Sequence, residues 1–106
     1  MNISRSTRSS SHFVFSYGTL TSKFYKCQQY PALLKGDFNI ETDGMYPELK
    51  KGSYGYSKSI IGSVLILDDQ QLIEADRYES DLYNRELFTV STDDLGDLEA
   101  WVYIAV

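Results

Sequence analysis

Two short segments of this 106-residue sequence combine residue types that could do chemistry. The first is Tyr17-Gly18-Thr19-Leu20, which directly follows an apolar run. A glycine at that place lets the backbone turn, and successive N–H groups can then point at a carboxylate or a developing oxyanion. A plain strand-to-loop turn is the competing reading. The second segment is Asp76-Arg77-Tyr78-Glu79, followed by Leu82, Tyr83 and Arg85. A carboxylate at a helix end among aromatic and aliphatic neighbours is partly desolvated, and desolvation makes it a better base near neutral pH. A solvated helix end whose acids pair with Arg77 or Arg85 is the alternative.

Composition removes other chemistries. With one Cys and one His, Cys27 and His12, a zinc site of the usual Cys/His kind is excluded, and so is a Ser-His-Asp triad. No metal and no cofactor is expected. Acid/base work falls to carboxylates, Tyr or Lys. Cys27 alone cannot close an internal disulfide, which suits a reducing compartment and leads to an expectation of a cytoplasmic protein.

The net charge is −5. Residues 1–30 carry four bases and no acid, whereas residues 61–106 carry eleven acids and two bases. A phosphate backbone attracts basic proteins, so nucleic acid is not an expected partner. Apolar stretches of about six residues fall far short of a bilayer span, so no membrane association is expected either.

These residues need elements to place them. Residues 1–12 contain five Ser and two Arg and read as a flexible tail ahead of one domain over 13–106. No hydrophobic stretch follows the charges, so the segment is not a secretory signal. Phe13 to Tyr17 reads as a buried first strand ending at Gly18. Thr21 or Ser22 is expected to cap a short helix reaching about Gln29. Residues 37–42 alternate as a half-buried strand, and residues 44–47 and 50–55 read as turns.

Ile60 to Leu67 is the most apolar run and should be a central strand. Asp68, with Gln71 three residues later, forms a capping-box signature for a helix from Asp69 to about Glu79. Leu72, Ile73 and Ala75 are expected to face the core. Arg85 to Thr92 and Leu98 to Val106 should form a closing hairpin about an Asp-rich turn. Many strands in a short chain imply an α+β fold, a small mixed β-barrel flanked by two or so helices.

The same residues carry a family resemblance. Phe13-Val14-Phe15-Ser16-Tyr17-Gly18-Thr19-Leu20 resembles the opening strand and loop of the γ-glutamylcyclotransferase-like family, in its Y-G-T-L (γ-glutamylamine cyclotransferase) form. Gly44-Met45-Tyr46-Pro47 resembles the family's G-x-Y-P turn, and Ile61-Gly62-Ser63-Val64-Leu65 its Gly-containing strand. Asp76-Arg77-Tyr78-Glu79 with Tyr83-x-Arg85 resembles its D-x-x-E and Y-x-R, and Ala100-Trp101-Val102-Tyr103 its last strand.

The resemblance implies a γ-glutamyl cyclotransferase that releases 5-oxoproline and a free amine from a γ-glutamylamine or similar small amide. It implies Glu79 as the general acid/base, Tyr17, Gly18, Thr19, Leu20 and Tyr83 as substrate-binding residues, and Asp76 and Arg85 as structural support. The partner would be a small γ-glutamyl compound, with a second copy of the chain as a further candidate. Ala75 and Ser80 depart from the family's usual Leu and frequent Gly. Those departures keep a second reading open, a module that binds or sequesters a small metabolite without turning it over. A protein-interaction domain using the acidic C-terminal half is a third.

Overall fold

A computed structural model describes residues 10–36, 38–42, 47–51 and 58–106. The element order is β1 (His12–Ser16), α1 (Leu20–Lys23), β2 (Gln29–Gly36), β3 (Phe38–Thr42), β4 (Pro47–Lys51), β5 (Lys58–Leu67), α2 (Asp69–Glu79), β6 (Tyr83–Thr92) and β7 (Gly96–Ala105). A single 3-10 turn, Ser80–Leu82, joins α2 to β6. Five strands close a barrel in the order β1-β5-β2-β6-β7. The pairs are antiparallel except for β7 with β1, which is parallel and seals the barrel. The expected mixed barrel with helices outside is the architecture observed.

Continuous apolar runs become strands here because both faces of the barrel wall are covered. Phe15, Val64, Val102 and Ile104 point into the barrel. Their neighbours Val14, Leu65, Leu67 and Tyr103 point outward and meet Leu20 and Phe24 around α1, and Leu72 and Ala75 on α2. Residue by residue the chain alternates between these two cores. Gly62 is needed where β5 crosses β1: a Cβ there would lie 2.3 Å from the Ser16 carbonyl oxygen.

Several expectations need correction. The first helix is one turn long, begins after Thr19 with no side-chain cap, and does not reach Gln29. Gln29 instead opens β2, a strand the sequence hid behind Pro31. That proline sits where β5 alone lies alongside, because pairing with β6 starts at Ala32. Pro47, Lys50 and Lys51, read as the edges of two turns, belong instead to β4, which pairs with β3. Leu49 and Phe38 from this pair enter the barrel core, Phe38 meeting Phe88 edge-on at 5.0 Å. Ile73 is 46% exposed, so only Leu72 and Ala75 of the expected trio are buried. The residues 43–46 and 52–57 lie outside the described ones, and with them most of the two turns read at 44–47 and 50–55.

The α2 start is as expected. Gln71 N–H donates to Asp68 Oδ1 at 2.8 Å, and Asp68 N–H donates to Gln71 Oε1 at 2.9 Å. The Gln71 side-chain amide also donates to Cys27 Sγ at 3.3 Å, which ties the segment after α1 to α2. His12, assigned by sequence to the tail, begins β1 and meets Asp69 at 2.6 Å.

Candidate active site

The strand registers bring the two candidate segments to one end of the barrel. β1 runs parallel to β7 with Phe15 beside Val102, so the chain leaves β1 at the level of Tyr103 to Ala105. Tyr83 pairs with Ala105, so β6 starts at that same level. Glu79 precedes Tyr83 by only the 3-10 turn. The loop 17–20, the C-terminal end of α2 and the start of β6 therefore share one rim. Lys23, just after the loop, lies 5.3 Å from the ring of Tyr78 and bridges the same two segments.

The last turn of α2 carries two acids with different surroundings. Asp76 is spent on partners. Arg85 donates from Nε to Oδ1 at 2.8 Å and from Nη2 to Oδ2 at 3.0 Å, a bidentate pair. The Tyr103 hydroxyl donates to Oδ1 at 2.6 Å. Beneath this, the Arg85 guanidinium stacks 4.3 Å from the Trp101 ring. Burial, reinforced by the adjacent Asp76 charge, holds the Tyr103 hydroxyl well above the usual tyrosine range, so it stays a donor.

Glu79 is different. Burial alone pushes its carboxyl up from 4.5 to about 7, and no cation or donor among the described residues offsets it. A carboxyl poised there exchanges a proton readily at neutral pH.

The loop is fastened from several sides. Ser16 Oγ accepts from Thr21 Oγ1 at 3.0 Å and, weakly, from Gly18 N–H at 3.4 Å. The Tyr17 hydroxyl accepts from Leu49 N–H at 3.0 Å, which couples the loop to β4. Leu20 is buried against α2, so its backbone rather than its side chain faces the rim. Gly18 does not have a positive φ, and a Cβ there would meet nothing within 4 Å. The turn alone thus does not require glycine; what glycine leaves is open space for a close approach to the backbone.

Beside Glu79 lies a hollow of about 250 Å³ lined by Asp76, Ser80, Asp81, Tyr83, Asn84, Arg85 and Tyr103. Tyr83, Asp76 and Arg85 of the expected set are in its wall; Glu79 and the loop residues are not. Four residues in this wall, Ser80, Asp81, Asn84 and Tyr103, were not among the sequence candidates. Tyr103 was readable in principle, since period two on β7 places it and Trp101 on one face, opposite Arg85 and Leu87. Ser80 has a backbone φ of 64° and ψ of −169°, a geometry signalled in the sequence only by the glycine that the resembled family often has at this place. Among the described residues no group of three or more His, Cys, Asp or Glu could hold a metal ion. No helix among them is long and apolar enough to cross a membrane.

The family model for gamma-glutamyl cyclotransferase, AIG2-like proteins matches residues 14–106. A search of the curated proteins finds no match. Solved structures share the fold at low identity. One is an Arabidopsis thaliana protein studied in solution: TM-score 0.74 and 22% identity, over 93% of this chain and 66% of that one. A structure described as a gamma-glutamyl cyclotransferase gives TM-score 0.67 and 16% identity over 92% and 68% of the two chains. A mouse AIG2-like protein gives 0.69 and 18% over 91% and 78%. The chain thus spans about two thirds of the length of the first of these proteins.

Proposed function

The chain belongs to the gamma-glutamyl cyclotransferase, AIG2-like family, and from that premise we propose that it releases 5-oxoproline and a free amine from a γ-glutamylamine or similar small amide. The observation that carries the reading is Glu79, a desolvated carboxyl titrating at about 7 on the rim that the loop 17–20 shares.

The reaction is intramolecular. Glu79 takes a proton from the substrate's α-ammonium. The freed α-amine attacks the γ-carbonyl carbon, a C–N bond forms, and the carbonyl oxygen becomes an oxyanion. Backbone N–H groups of the loop at Thr19 and Leu20 precede the first helical bond, from Thr21 N to Gly18 O, and are suited to receive that oxyanion or the substrate's carboxylate. Glu79 then returns its proton to the departing nitrogen as the oxyanion collapses and the original amide C–N bond breaks. The carboxylate so regenerated takes the remaining extra proton from the ring nitrogen, leaving the neutral lactam and the free amine. The nucleophile is already tethered, so holding the folded conformer supplies much of the rate. Asp76, gripped by Arg85 and Tyr103, fixes the helix turn that carries Glu79.

The test is 5-oxoproline release from a panel of γ-glutamyl amides. Replacing the acid/base, Glu79→Gln, should cost about 10²–10⁴-fold in kcat. Equal turnover by wild type and variant would remove Glu79 from this role. Saturable binding without product would leave a metabolite-binding module instead.

A further inference from the structure

Ser80 immediately follows the proposed base and holds a backbone geometry that serine seldom adopts, φ 64° with ψ −169°. This region is open to glycine and strained for any residue with a Cβ. Among the described residues Ser80 is the sole non-glycine with positive φ. The fold gains little from its side chain. Ser80 N–H donates to the Asp76 carbonyl at the end of α2, a bond glycine would make equally well. Its Oγ accepts from Leu82 N–H only at 3.5 Å, the outer edge of hydrogen bonding. Stability therefore favours glycine at this place, and serine stands there at a cost.

What the side chain does have is position. It lines the hollow beside Glu79, together with Asp81, Tyr83, Asn84 and Arg85. Arg85 and Tyr103 are turned onto Asp76, whereas the Ser80 side chain is exposed and its hydroxyl proton, with no acceptor among the described residues, is available to a ligand in exchange for solvent. The geometry points to Ser80 as a specificity-determining residue: its hydroxyl donates to a neutral oxygen, a hydroxyl or an amide carbonyl, on the amine half of a substrate seated in this hollow. Asp81 in the same wall opposes a carboxylate there. The inference rests on the proposed cyclotransferase reading, in which an amide reacting at Glu79 extends its amine half into the neighbouring hollow.

Calorimetric binding of two probes tests it: γ-glutamylethanolamide, which carries such a hydroxyl, and γ-glutamylethylamide, which lacks it. Wild type should bind the hydroxylated probe about three- to tenfold more tightly. Ser80→Ala and Ser80→Gly should both lose that preference, although Ser80→Gly melts higher than wild type and Ser80→Ala does not. Retained preference in the variants overturns the assignment, as does a wild type that shows no preference or binds neither probe. 5-Oxoproline is measured separately in the same samples. A Ser80-dependent preference without product would uphold the assignment and remove the reaction.

Discussion

Replacing Glu79 by Gln should stabilise the protein, and by an amount that grows with pH. In the folded state the carboxyl titrates at about 7 rather than 4.5, because burial penalises its charged form. The folded state therefore holds one more proton than the unfolded chain between those values. Stability falls as pH rises wherever the folded state binds more protons. The contribution is fully present below pH 4.5, declines through the window and is lost above about pH 7.

Taken whole, the gap from 4.5 to about 7 is worth about 3 kcal/mol. Water still reaches part of this half-buried side chain, and screening reduces the effect to roughly 1–2 kcal/mol. Gln keeps the shape of the protonated acid and never charges. In thermal melts from pH 5 to 8.5 at fixed ionic strength, Glu79→Gln should match wild type near pH 5. By pH 8 it should melt about 4–8 °C higher. Both proteins carry His12 and Asp69, so that pair cancels in the difference. A difference that is flat with pH, or a wild type more stable at pH 8, would refute the desolvated carboxyl.

Three further outcomes follow from the packing. Gly62→Ala places a methyl 2.3 Å from a backbone oxygen of β1, so urea unfolding should show a loss of about 3 kcal/mol; a midpoint near wild type would mean that β1 and β5 separate easily. Tyr103→Phe removes a 2.6 Å bond to a carboxylate and should cost about 1.5–3 kcal/mol in the same assay, with near-wild-type far-UV circular dichroism. Asp68→Ala removes the half of the capping box in which the side chain accepts from Gln71 N–H and should cost about 1 kcal/mol, and a neutral effect would show that α2 is held by packing and the remaining backbone half.

The parts of the fold legible in the sequence were those governed by local rules. The capping box at Asp68 and Gln71 marks α2, and unbroken apolar runs mark β1, β5 and β7. Harder to read were elements set by distant partners. β2 contains a proline and few alternating residues, and it exists because β5 and β6 pair with it. β4 is polar along Pro47–Lys51 except for Leu49, whose burial depends on a barrel built elsewhere in the chain. At the site, spacing along α2 indicated Asp76 and Glu79, but spacing does not say which acid is paired. That is decided by Arg85 and Tyr103, which arrive through the β6–β7 register. At Ser80 the departure from the family's frequent Gly was legible, but the strain behind it was not, because backbone geometry at a helix end follows from where the next strand must start.

The parallel contact between β1 and β7 has a consequence for biosynthesis. Val14 must wait for Trp101, more than eighty residues later, before the barrel can shut. During translation β1 emerges with both edges bare; β5 covers one of them, and the other stays open until β7 is made. Closure of so long a loop is slow compared with local pairing. A compound that binds across the rim this contact brings together would thus favour the closed barrel over the open one.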